Sequence, residues 1–219
     1  MKRPVIFFAF CLLWFLPVLC SSAEELVLIS EEGGYSIALL EGWKRIDAAG
    51  VMKSAPMDGS DLSEKAREQM RNSAQGASLQ QADFGVMETL IVFHAENAAM
   101  GISAADVNNI AVPGNPLAEK IRKQITDCLK KGGLQELPSE NPLDGLAADM
   151  AMVLPDGSGL YGITHIRFTR EHVIVAGINR ISKDAGAHKD ELRAILDGLI
   201  IGSDKSLMEA QDSLSDTPR

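Results

Sequence analysis

Gly34-Tyr35-Ser36-Ile37-Ala38-Leu39-Leu40-Glu41-Gly42-Trp43 follows an extended apolar segment at Glu25–Ser30 and the glycine pair Gly33-Gly34. Strand, glycine turn, strand is the signature of a hairpin. Glycine takes positive φ at no steric cost, so a pair of them lets the chain reverse tightly. Tyr35 and Trp43 are the large side chains of this unit. Beside a hairpin such rings anchor the strands to a core more often than they line a pocket.

Downstream, Asp61 to about Ser73 is predicted as a helix capped by Asp61, with Leu62, Ala66 and Met70 on one side. A polar stretch containing Gly76 leads into Val86–Ala95, a strand rich in Val, Ile, Thr and Phe. Residues 96–115 read as a long loop, with one turn of helix near Ala104. Pro116–Lys131 is the clearest helix: Pro116 suits its first turn, Gly132-Gly133 ends it, and Leu117, Ile121, Ile125, Cys128 and Leu129 form one apolar stripe. Cys128 is therefore expected to be a buried structural thiol.

Ala147–Leu154, Leu160–Phe168 and His172–Ile181 read as three strands, joined by Pro155-Asp156-Gly157-Ser158 and by a turn centred on Arg170-Glu171. That centre pairs Phe168 with Val173 and Ile166 with Val175, and leaves Ile163, Ile174, Ala176 and Ile178 on the opposite face. Apolar residues on both faces call for cover on both sides of the sheet. A last helix, Lys189 to about Leu199, carries Leu192, Ile195, Leu196 and Leu199.

The segment Gly34–Trp43 resembles the pattern G-[YF]-S-[IL]-x-x-P-x-G-W of Mog1/PsbP-like proteins, including the DcrB-like bacterial group, with Leu40 where that pattern has proline. The later order of elements, from Leu26 to Ile201, is also similar to that fold. The resemblance implies an α+β fold, an α/β/α sandwich whose mainly antiparallel sheet is covered by helices on both faces. It also implies a mostly non-enzymatic group of accessory, envelope and binding proteins. No functional residue transfers with it, because the hairpin motif is structural.

The first 23 residues carry the address. Lys2 and Arg3 precede an apolar run, Val5 to Leu19, of 15 residues. Such a run is short of the roughly 20 needed to span a bilayer. Ser21-Ser22-Ala23 then supplies small residues at the −3 and −1 positions of a cleavage site between Ala23 and Glu24. Residues 1–23 are thus expected to be a cleaved signal peptide, 24–202 a single α/β domain and 203–219 a mobile polar tail. Cys20 raises lipid attachment, but Pro17 and Leu19 stand where that signal takes leucine and a small residue, so a lipid anchor is disfavoured. The mature chain is expected to be periplasmic or secreted, with no membrane span.

The chain holds 21 basic and 30 acidic residues. Loss of Lys2 and Arg3 with the signal leaves 19 against 30, a charge of −11. Such a surface repels phosphate backbones, which argues against a nucleic-acid partner. With Cys11 and Cys20 in the signal, Cys128 alone remains, so no internal disulfide is expected.

Individual residues single out no chemistry. His94, His165 and His172 lie in or beside strands, and a zinc site gathered from separated strands is conceivable. There is however no close histidine pair, no HExxH and no paired-cysteine spacing, and His188 stands apart, so no metal residue is assigned. Ser158 lies in Asp156-Gly157-Ser158-Gly159 between two strands, whereas a nucleophile elbow needs a strand-to-helix turn. No phosphate-cradling glycine loop occurs, and Asp144, Asp149 and Asp156 do not follow an EF-hand spacing. No catalytic residue and no cofactor are therefore expected. The leading expectation is an exported non-enzymatic accessory or binding protein of the cell envelope with a protein partner, its working surface the sheet edge or the loop 96–115. The alternative is a small exported hydrolase or lipid-binding enzyme.

Overall fold

The computed structural model describes residues 26–54, 62–81, 85–103, 106–107, 115–131, 133–137 and 147–202. The expected signal peptide, Cys20, the Ala23–Glu24 junction, Asp144 and the tail 203–219 lie outside these residues.

The opening hairpin forms as expected. β1 (Leu26–Ser30) pairs antiparallel with β2 (Tyr35–Leu39), Leu28 opposite Ile37 and Ser30 opposite Tyr35. Gly34 makes the reversal at φ 66°, and the Ser30 hydroxyl accepts the Gly33 N–H at 3.0 Å. Tyr35 and Trp43 are both buried in the core, as anchors. Leu40, by contrast, is 76% exposed, so packing makes no demand at the position where the family pattern has proline.

Seven further strands build the main sheet. They are β3 (Lys44–Ile46), β4 (Gln75–Gln81), β5 (Val86–Glu96), β6 (Gln135–Leu137), β7 (Ala147–Val153), β8 (Gly159–Phe168) and β9 (His172–Ser182). Their spatial order is β3-β4-β5-β9-β8-β7-β6, antiparallel throughout. A short β10 (Ile200–Ile201) adds to β2, giving the small sheet β1-β2-β10. The helices among the described residues are α1 (Ala48–Ser54), α2 (Glu64–Ser73), α3 (Pro116–Lys131) and α4 (Lys189–Asp197), the last preceded by a 3₁₀ turn at Ala185–His188.

The β8–β9 register is the expected one: Phe168 opposes Val173 and Ile166 opposes Val175. Because side chains alternate across a strand, this register sorts the sheet into two faces. Val173, Val175 and Ile166 meet Ala118 and Ile121 of α3, while Met70 of α2 packs in a neighbouring cluster with Ala95 and Ile91. On the other face Ile163, Ile174, Ala176 and Ile178 meet the opening hairpin (Leu28, Tyr35, Ile37, Leu39) and Leu192 and Leu196 of α4. The fold is α+β, an antiparallel sheet with helices on both faces. The hairpin shares one face with α4.

Three local readings are corrected. The second helix begins at Glu64, and its cap is Ser63, whose hydroxyl accepts the Ala66 N–H at 3.0 Å; Asp61 lies outside the described residues. Its expected inner side, Leu62, Ala66 and Met70, is buried. The polar stretch around Gly76 is strand β4, paired with β5 along its whole length. Periodicity missed it because Gln75, Gln80 and Gln81 carry little apolar signal. Its Gly76 is required by packing: a Cβ there would lie 2.9 Å from Ala48 Cβ of α1 and 3.0 Å from the Leu90 carbonyl oxygen. α1 itself was not anticipated; the Asp47 carboxylate accepts the Gly50 N–H at its start. Cys128 falls within α3, but its side chain, like those of Ile125 and Leu129, lies outside what is described.

Candidate functional site

Three connections converge at one end of the main sheet: the β1–β2 turn, the β8–β9 turn and the segment after Glu96. Asn97 ties the last two together. Its N–H donates to the Glu171 carbonyl at 2.7 Å, and its side-chain amide donates to the Thr169 and Arg170 carbonyls. The Thr169 hydroxyl in turn accepts the His172 N–H at 2.8 Å. Opposite, a Cβ on Gly34 would sit 3.8 Å from Thr169 Cγ2, so the hairpin turn rests against the same corner.

His94 and His172 are brought together by the β5–β9 register. His94 opposes Ile174 and His172 opposes Glu96, so the two histidines are diagonal neighbours on one face. Their rings meet edge to face at 5.2 Å between centroids, and the Tyr35 ring stands 6.0 Å from His94 on its other side. The strand beneath is held by α2: Ser73 accepts the His94 N–H at 2.9 Å and donates to its carbonyl at 2.7 Å, and Gln69 accepts the Glu96 N–H. These bonds take over where the β4 ladder ends, since Gln75 is paired with Val92.

Glu32 completes the group. It sits in the β1–β2 turn, and Glu32, His94 and His172 each present one ligand-type atom, all within 4.8 Å of one another. His94 is buried, 4% exposed, whereas Glu32 is exposed and His172 intermediate. Burial pushes the His94 imidazole below its ordinary pKa, the nearby His172 acts in the same direction, and Glu32 opposes both. A neutral imidazole keeps a lone pair free for a hydrogen bond or a ligand bond. Burial likewise raises the Tyr35 phenol, an effect the Ser30 hydroxyl partly offsets. Glu96 is held below the usual carboxylate range, chiefly by its hydrogen bond from Lys65 at 2.6 Å.

The other residues considered from sequence are placed elsewhere. His165 is buried on β8 opposite Ala176, with Nδ1 3.4 Å from Arg167 Nη2. His188 lies before α4, between Asp184 and Glu191. The Ser158 hydroxyl donates to Asp156 Oδ1 at 2.6 Å in an exposed turn. Asp149 accepts from the Tyr161 hydroxyl at 2.7 Å and pairs with Arg193 of α4 at 3.2 Å. Of residues 96–115, Glu96 ends β5, and the helical turn expected near Ala104 is seen at Asp106–Val107, where both N–H groups reach the Ser103 carbonyl. Residues 104–105 and 108–114 lie outside the described residues. Nothing in the order Glu31-Glu32-Gly33-Gly34 relates Glu32 to histidines 62 and 140 residues further on.

No family model matches this chain, and no curated protein matches it. Among solved structures it is similar to cyanobacterial PsbP (CyanoP) from Synechocystis sp. PCC 6803, at 13% identity and a TM-score of 0.38, over 86% of this chain and 99% of that one. It is similar to the Saccharomyces cerevisiae Ran-binding protein Mog1p, at 12% identity and a TM-score of 0.43, over 83% and 97%. It is also similar to LpqN, involved in cell envelope biogenesis of Mycobacterium tuberculosis, at 12% identity and a TM-score of 0.32, over 80% and 86%. At this identity no role is transferred from any of the three.

Proposed function

We propose that this chain is an exported accessory protein of the cell envelope, periplasmic or secreted, that works by binding a protein partner and not by catalysis. The observation that carries the reading is the N-terminal order of Lys2-Arg3, the apolar run to Leu19 and the small residues Ser21-Ser22-Ala23 before Glu24. No helix among the described residues is long and apolar enough to cross a membrane.

The engagement of the candidate reactive groups supports binding over catalysis. Glu88 is taken by Arg180, Asp149 by Tyr161 and Arg193, and the Ser158 hydroxyl by Asp156. Groups engaged in such contacts are not poised to exchange protons with a substrate. The surface where the β1–β2 turn, the β8–β9 turn and the segment after Glu96 meet is the binding face on this reading.

Expression with the native N-terminus in a bacterial host tests export, by intact mass of the exported fraction. The expected species begins at Glu24; retention of residues 1–23, or a diacylglycerol mass on Cys20, overturns it. Incubation of the purified protein with ester, glycoside and peptide substrates tests the rest. Turnover that a single change at His94, His165 or Ser158 abolishes would replace binding with catalysis.

A further inference from the structure

We propose that Glu32, His94 and His172 form a binding site for a divalent first-row transition ion, with zinc the favoured occupant. The inference does not depend on export or on a protein partner.

The donor set points to the metal. Two imidazoles and one carboxylate are the three protein ligands of zinc sites that keep a fourth position for water or a further ligand. Imidazole nitrogen suits zinc and its transition-metal neighbours, whereas calcium and magnesium select all-oxygen shells. The three side chains come from the β1–β2 turn, from β5 and from the first residue of β9, and their ligand atoms already lie within 4.8 Å of one another. Ligand bonds of about 2.0–2.1 Å in a tetrahedron bring donor atoms to about 3.4 Å apart. The required contraction falls to Glu32, exposed on a turn and free to change rotamer, while His94 is held by the sheet.

The second observation is independent of donor type. His94 Nδ1 is buried and makes no hydrogen bond. A buried polar atom left this way is costly, and native structures rarely tolerate it without a purpose. That nitrogen faces the Glu32 turn: a Cβ on Gly33 would lie only 2.7 Å from it. Glycine next to Glu32 therefore lets this turn pack directly against that edge of the imidazole. The perpendicular contact of His172 against His94 brings the second imidazole to the same place without stacking the rings.

The Tyr35 ring against His94, and Glu96 opposite His172 on the neighbouring strand, are the groups surrounding the first ligands. An ion held here would tie the β1–β2 turn to the start of β9 and so fasten the hairpin to the main sheet. Binding to the folded state alone raises its stability.

The test is zinc chloride added to the chelator-stripped full chain, followed by calorimetry and thermal unfolding. One zinc ion per chain with a rise in Tm is expected, and calcium and magnesium should give none. Glu32→Ala, on an exposed turn, should leave the metal-free Tm unchanged and weaken zinc at least about 10-fold, since losing even an outer partner of a ligand costs about 10–100-fold. His172→Ala should weaken zinc to a similar degree, measured on a variant confirmed folded by circular dichroism, and His165→Ala and His188→Ala should bind as the parent does. Cobalt in place of zinc should give a tetrahedral visible spectrum with no thiolate charge-transfer band. No stoichiometric zinc, unchanged affinity in Glu32→Ala and His172→Ala, or a thiolate band from Cys128 would each overturn the site. Glu32→Ala and His172→Ala decide the site without a change at His94, whose ring is buried.

Discussion

Gly33 and His94 fit together only because Gly33 has no side chain: a Cβ there would stand 2.7 Å from His94 Nδ1 and 2.8 Å from Tyr35 Cε1. Both neighbours are buried rings, so neither gives way easily. Gly33→Ala should therefore destabilise the fold by about 1–3 kcal/mol, the usual cost of overpacking. Urea unfolding reads the loss. A variant as stable as the parent would mean that the His94 ring moves aside freely, and would weaken its role as the fixed member of the cluster.

The pair Glu88–Arg180 offers a sharper energetic test. Their side chains meet at 2.7 Å across β5 and β9, with Glu88 5% and Arg180 8% exposed. Removing one partner strands the other charge away from water, at about 3–5 kcal/mol. Glu88→Ala should cost near the lower end, because Glu191 still reaches Arg180 at 3.4 Å. Replacing both together by Leu and Met should cost far less than the sum of the single changes, and a denaturant double-mutant cycle measures the difference.

Acid should loosen the attachment of β6 to α3. Glu136 accepts from Lys130 at 2.6 Å and is paired with Arg122, and these contacts, Lys130 first, hold its carboxyl below the usual range. A depressed carboxylate contributes stability above its unfolded pKa of about 4.3, and loses it as the pH falls through the lower folded value. With Lys130 well exposed the contribution is screened to about 0.2–1 kcal/mol. Glu136→Gln should thus be less stable than the parent at neutral pH and equal to it in strong acid. A gap that persists in acid would assign the effect to packing.

At alkaline pH the Tyr35 phenol acts in the opposite direction. Burial raises its pKa in the folded state. Its stabilising contribution is complete below the unfolded value of about 10 and is lost as the pH rises beyond it, because the unfolded chain ionises first. Between about pH 9 and pH 11 the parent should lose more stability than Tyr35→Phe. Equal losses would mean that Tyr35 ionises within the fold.

Much of the architecture was legible from Gly34–Trp43 and from the apolar periodicities downstream. Alternation and turn chemistry are local properties, which is why the β8–β9 register and the inner faces of α2 and α4 follow from residue order. β4 was not legible because it is polar, and it is a strand only because β3 and β5 pair with it on either side. Asp61 and Ser63, two residues apart, are both acceptable caps for α2, and tertiary packing selects Ser63, whose hydroxyl also reaches the Ala99 carbonyl at 2.8 Å.

What residue order by itself determined is local: a hairpin, helices with one apolar side, strands with two, and an N-terminus with the order of an export signal. The tertiary structure alone decided which polar residues meet. Glu32, His94 and His172 are 62 and 78 residues apart in the chain, distances at which no pattern links a carboxylate to an imidazole. They become neighbours because the antiparallel β5–β9 register sets the two histidines on a diagonal and the hairpin lies across that same face. His165, equally eligible by sequence, lies one strand over opposite Ala176 and is left out. Chain proximity specifies conformation; only the packed sheet specifies which side chains share a site.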